Sequence, residues 1–137
     1  MTCFVDTSGW YAVLDRSDGS HARATEILGQ GHELVLTDHV LVETHRLAAF
    51  RLGRDVADRF WSAVEEGQAT LEPVTVGDLS AAHAVRMAWS DQDFSLVDCT
   101  SFVVMERLRL DDVVTFDDDF AIYRYGNRRQ RSFNVLR

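Results

Sequence analysis

The stretch from Met1 to Gly9 constrains the chain most. It contains Cys3-Phe4-Val5-Asp6-Thr7-Ser8-Gly9: an apolar run that ends on an acid, then two hydroxyl residues and a glycine. A short apolar run bounded in this way reads as a β-strand buried on both faces, the kind found in parallel sheets. In open parallel sheets, ligands sit in the crevice beyond the carboxyl ends of the strands. Asp6 stands at such an end, and the question for the remaining chain is which residues converge on it.

Helix and strand patterns alternate from there on. Gly9 to Asp15 reads as a short helix, Asp18-Gly19-Ser20 as a capped turn, and His21 to Leu28 as the next helix, stopped by Gly29-Gln30-Gly31. Leu34 to Thr37 is a short buried strand, and Thr37 or Asp38 caps a longer helix to about Leu52. Arg54 to Glu66 is a further helix, closed by Gly67, and Thr70 to Glu72 a weak strand before the single proline, Pro73. Gly77 to Trp89 is helical, with Leu79, Ala82, Val85, Arg86 and Trp89 near helical spacing. Asp91 to Phe94 is a polar loop, Ser95 opens a helix to about Leu108, Asp112 to Phe116 is a strand, and Phe133 to Leu136 forms a last edge strand. Strands alternating with helices specify an α/β fold: a central parallel sheet of four or five short strands covered on both sides.

A length of 137 residues corresponds to one domain spanning 1–137, and a 46% hydrophobic fraction is enough for a core. No apolar run approaches the ~20 residues that cross a bilayer. No basic segment followed by an apolar one opens the chain, so a cytoplasmic location is expected and no membrane partner. Cys3 and Cys99 make neither a disulfide framework nor a zinc site. The net charge of −8 argues against binding nucleic acid by bulk attraction, although the position of charge matters more than its sum. All 14 basic residues are arginines. Mechanisms that need a lysine are closed, including a P-loop, a Schiff base and a receiver-type phospho-switch.

Two helices carry acids where the pattern asks for apolar residues. Glu43 lies on the stripe Val40, Leu47, Phe50, and Asp98 on the face Phe94, Phe102, Met105. A carboxylate on a core-facing stripe is costly unless it is paired or metal-bound. Glu43 has the alternative of the stripe's edge, paired with Arg46 or Arg51. Asp98 has the alternative of a capping box with Ser95, which does not exclude a second role. Asp117, in Thr115-Phe116-Asp117-Asp118-Asp119-Phe120, follows a strand end as Asp6 does, with a solvated acidic turn as the plainer reading. Asp91 and Asp93 read as turn residues.

Asp6, Glu43, Asp98 and Asp117 come from two strand ends and two helix starts that a parallel sheet places on one edge. Four ionised carboxylates do not sit together without a cation. Oxygen-only ligands suit Mg²⁺ or Mn²⁺, and such ions hydrolyse phosphodiesters. The ordered set Phe4-Val5-Asp6-Thr7-Ser8, Glu43, Ser95-Leu96-Val97-Asp98-Cys99 with Phe102, and Thr115-Phe116-Asp117 through Phe120 resembles the PIN domain, and within it the VapC-type toxins of toxin–antitoxin pairs. The resemblance covers nearly the whole chain. It implies a three-layer α/β/α domain and a Mg²⁺-dependent endoribonuclease. Asp6, Glu43, Asp98 and Asp117 would form the acidic set, with Asp6, Asp98 and Asp117 as metal ligands and Asp119 as the alternative in the run of three aspartates. It further implies that Thr7, Ser8 and Thr115 orient carboxylates or waters, that the chain is a homodimer, and that a protein antitoxin inhibits it.

The one basic stretch is Tyr123 to Arg131, which holds Arg124, Arg128 and Arg129. Arginine pairs with phosphate and tyrosine stacks on unpaired bases, so this segment reads as an RNA contact. A hairpin at Gly126-Asn127 whose arginines balance nearby acids is the competing reading. The histidines lack metalloprotease spacing and read as surface residues. Two other functions share these features: an RNA-processing PIN nuclease without an antitoxin, and an inactive module that only binds RNA or protein.

Overall fold

A computed structural model describes residues 1–137. Five strands, β1 (Thr2–Val5), β2 (Glu33–Thr37), β3 (Thr70–Glu72), β4 (Asp112–Val114) and β5 (Asn134–Leu136), pair in parallel in the order β3-β2-β1-β4-β5. Seven helices connect them: α1 (Thr7–Leu14), α2 (His21–Leu28), α3 (Asp38–Leu52), α4 (Arg54–Glu65), α5 (Val76–Ala88), α6 (Leu96–Leu108) and α7 (Asp119–Ile122). No helix is long and apolar enough to cross a membrane.

Successive strand residues point to opposite faces. Cys3, Phe4 and Val5 are nonetheless all fully buried, so β1 is covered on both sides, as its unbroken apolar run requires. Its neighbours are Val35 of β2 and Val113 of β4, both opposite Phe4. From β1 the chain builds outward one way to β2 and β3, and later the other way to β4 and β5. The order therefore reverses between β1 and β4, which is where an open parallel sheet leaves a crevice at its carboxyl edge. Asp6 follows β1 there, and Thr115 follows β4.

Gly9 lets the first turn of α1 settle onto that junction. A Cβ at Gly9 would stand 2.8 Å from the Val114 carbonyl oxygen and 2.9 Å from Val5 Cγ1. Across the fold, α1 packs on α2 and α3, α3 on α4, and α5 on α6. A run of rings joins α6 to the C-terminal segment: Phe102 meets Phe120 edge-on at 4.9 Å and stacks on Tyr123 at 4.3 Å.

The buried face of α3 is Val40, Leu41, Thr44 and Ala48, not the stripe through Leu47 and Phe50; Phe50 is 87% exposed. Packing against both α1 and α4 turns the helix so that its two-sided contact prevails over the single apolar stripe. On α5 only Asp78 and Ala82 are buried, while Leu79 is exposed. The expected apolar face there is shallow, and an acid lies beneath it.

Candidate active site at the carboxyl edge

Asp6 is the N-cap of α1 as well as the residue after β1. Its Oδ1 accepts the Gly9 amide at 3.2 Å and the Ser8 hydroxyl at 2.7 Å, and its Oδ2 accepts the Thr115 hydroxyl at 2.9 Å. The Asp117 amide donates to Thr115 Oγ1 and the Phe116 amide to Ser8 Oγ. Two hydroxyls thus tie the acid after β1 to the loop after β4. Burial pushes the Asp6 carboxyl up to about 6, with the Ser8, Gly9 and Thr115 bonds opposing and the Asp117 charge adding. Of the three hydroxyls expected to support the acids, Ser8 and Thr115 bond Asp6, and the buried Thr7 hydroxyl bonds nothing.

The second group comes from α6 and the start of α7. Ser95 caps α6, its hydroxyl accepting the Asp98 amide at 3.0 Å, while Asp98 Oδ2 accepts the Ser95 amide at 3.2 Å. The capping box forms, yet Asp98 also faces two more acids. Carboxylate oxygens of Asp98, Asp117 and Asp119 lie within 4.8 Å of one another. Burial, a hydrogen bond with Asp119, and the charges of Asp119 and Asp117 push Asp98 up to about 8. Asp119 is raised as well, by burial and by Asp117, Asp118 and Asp93, against the bond from Asp98. Of the three consecutive aspartates, Asp118 turns away to pair with Arg137 at 2.8 Å. Both alternatives from the sequence, Asp117 and Asp119, stand in the cluster. Asp93, read as a turn residue, adds its field to Asp119, an effect that depends on chain folding rather than on local pattern.

Glu43 flanks this group without joining it. It is half-buried in a surface depression with Asp38, His39, Val42, Arg46 and Val97, the residue beside Asp98. It takes part in none of the ion pairs, so neither Arg46 nor Arg51 neutralises it. The largest cleft, between α1 and α4 around Trp10 and Phe60, lies apart from the acids.

In the basic segment, Tyr125 and Arg131 pair as an antiparallel bridge around a single turn, Asn127–Arg129, as the hairpin reading requires. Arg124 donates to the carbonyls of Ala121 and Ile122 at the end of α7. Arg129 lies 4.4 Å over the Trp89 ring, and Arg131 pairs with Asp111 at 3.4 Å. Arg128 is exposed and forms no hydrogen bond or ion pair.

The family model described as "PIN domain" matches residues 3–125. The chain belongs to the PIN-domain family. A Mycobacterium tuberculosis protein named 23S rRNA-specific endonuclease VapC20 is 31% identical over 125 residues, covering 86% of this PIN domain's chain and 91% of the relative. Ribonuclease VapC26 of the same species is 25% identical over 114 residues, with coverage of 82% and 84%. The crystal structure of VapC20, described as a sarcin–ricin loop cleaving toxin, superposes with a TM-score of 0.83 at 28% identity over 89% of this chain and 94% of that one. VapBC2 of Rickettsia felis, solved bound to a promoter DNA fragment, shares the fold at a TM-score of 0.60 and 9% identity, covering 89% and 92%.

The PIN domain's acids suit a hard divalent cation. The donors are all carboxylate oxygens, they converge from separate elements, and no arginine pairs with Asp98, Asp117 or Asp119. Burial, with the charge of neighbouring acids added, raises Asp98 and Asp119, and such an ion would offset that charge.

Proposed function

We propose that this VapC-like ribonuclease is a Mg²⁺-dependent endoribonuclease, with Mn²⁺ able to substitute, and that it is the toxin of an antitoxin pair acting in the cytoplasm. The observation that carries the reading is the convergence of Asp98, Asp117 and Asp119 within 4.8 Å beside the buried Asp6. Asp98, Asp117 and Asp119 would hold the ion, Asp6 would complete the set from the β1 side, and Glu43 would close it from α3. Such an ion would supply polarisation of the phosphodiester and a bound water of lowered pKa. Asp6 is held in register by Ser8 and Thr115, which fixes its distance to the Asp117 loop. A cation held there would favour the ionised form of Asp98.

Incubation of the chain with total RNA, with Mg²⁺ or with chelator, and mapping of the new ends tests this reading. Discrete cuts are expected only with the ion, and Asp6→Asn is expected to abolish them while the fold survives. Full activity of Asp6→Asn in a chelator-controlled assay would refute the assignment. The similarity to VapC20 makes 23S rRNA the first defined substrate to try.

A homodimer is part of the same proposal. Leu79 of α5 and Leu96 of α6, 46% and 51% exposed, line one depression with Val97, and Val42 of α3, 56% exposed, lines the neighbouring one that shares Val97. A second copy would cover them. Light scattering is expected to show a dimer that Leu79→Asp dissociates.

A further inference from the structure

The turn Asn127–Arg129 carries two adjacent arginines that no acid pairs with. We propose that Trp89, Arg128 and Arg129 form an RNA-docking ledge that takes up one unpaired nucleobase and its phosphate. The inference rests on the ribonuclease reading above and adds a nucleobase-and-phosphate subsite outside the acidic edge.

Three observations carry it. Arg128 and Arg129 are consecutive left-handed residues, with φ of 56° and 53°, held by the Tyr125–Arg131 bridge. Backbone of that kind favours glycine or asparagine, and the chain instead spends it on two guanidinium groups. Arg128 is exposed and unbonded, which leaves its fork free for a phosphate. Secondly, the planar guanidinium of Arg129 rests 4.4 Å from the centre of the Trp89 ring. A nucleobase presents the same flat shape to that face. An entering base exchanges with Arg129, whose charge then serves the adjoining phosphate. Bases of an A-form duplex are stacked inside and do not reach such a surface.

Thirdly, the ledge is joined to the acids by packed rings. Trp89 contacts Phe94 at 5.7 Å, Phe94 contacts Phe102 at 5.2 Å, and Phe102 contacts Phe120 at 4.9 Å. Phe94 precedes the Ser95 cap of the helix that bears Asp98, and Phe120 follows Asp119. A base seated on Trp89 is thereby held in fixed register with the acidic edge, through aromatic side chains that have few rotamers to lose.

The test uses the full chain in chelator, so that RNA is bound and not cut, and compares a labelled single-stranded oligonucleotide with its duplex across a salt series. Trp89→Ala is expected to weaken single-strand binding about tenfold and to leave duplex binding as it was, with Trp89→Phe restoring most of the loss. Arg128→Ala touches no internal contact and is expected to lower the slope of log affinity against log salt by about 0.7. If Trp89→Ala does not fold, Trp89→Leu takes its place beside Arg128→Ala. Parent-like single-strand binding in the non-aromatic Trp89 variant, or a parent-like salt slope in Arg128→Ala, overturns the ledge, as does an equal loss for duplex. Cleavage of total RNA by the unaltered chain tests the ribonuclease reading separately: cutting with indifferent ledge variants removes the ledge alone, and no cutting removes the reading beneath it.

Discussion

Helices α5 and α6 begin with the same local device and end up in opposite electrostatic states. Thr75 and Asp78 form a capping box at α5, and Ser95 and Asp98 form one at α6, each with both reciprocal bonds in place. Asp78 then receives Arg107 on both oxygens, at 3.0 and 2.8 Å, and the Arg107 bonds hold its carboxyl below the usual range. Asp98 receives Asp119 and Asp117 instead, and burial with those acids pushes it up to about 8. One box became a staple joining α5 to α6, since Arg107 also reaches Glu72 and so ties in β3. The other placed its acid in the cluster that we propose holds the cation. A capping acid is thus neutral information about function until its tertiary partner is known.

The comparison breaks most visibly in activity. Asp98→Asn keeps an acceptor for the cap and removes a proposed metal ligand, so cleavage is expected to fall about a hundredfold or more while the melting temperature holds or rises. Asp78→Asn is expected to do the reverse, lowering stability with little change in turnover per folded molecule. A large activity loss in both would mean that the two boxes do not differ in role.

Titration separates them next. Folded Asp98 keeps its proton to about pH 8, whereas an unfolded aspartate releases it near 3.8. The folded state binds the extra proton in that window, so metal-free stability should fall as pH rises through it. Mg²⁺ should flatten the slope by displacing the proton, and Asp98→Asn should remove this residue's share. Asp78 has the opposite sign: its contribution is present above 3.8 and is lost as pH falls through its lowered folded value. Melting curves across pH with and without Mg²⁺ read both.

Arg107→Ala should destabilise by about 1–3 kcal/mol, less than a fully buried pair would, because Arg107 is 36% exposed and partly screened. Denaturant midpoints measure it. The smallest and most symmetrical effect is in the caps. Thr75→Ala and Ser95→Ala should each cost about 1 kcal/mol, because a cap acts on its own helix whatever its acid faces. Unequal losses would show that the acids' partners also strain or brace the boxes.

The chain's periodicity carried much of the architecture. The apolar run through Val5, the strand at Leu34 to Thr37 and the alternation with helices specified a parallel sheet, and strand ends specified Asp6 and Asp117 as edge residues. Local patterns misplaced the buried face of α3, because Glu43 and Phe50 look like stripe members until α1 and α4 set the rotation. They also missed Asp78, whose burial depends on Arg107 from a helix 29 residues later.

Spacing along the chain thus determined which elements form and which acids end them, since backbone periodicity and capping act over a few residues. Only the folded chain decided that Asp98 meets Asp117 and Asp119, that Asp118 turns to Arg137, and that Arg129 lies on Trp89. Those meetings depend on Coulomb and packing terms between residues that are close in space and, in most of these pairs, far apart in the chain. The order β3-β2-β1-β4-β5 brings them together.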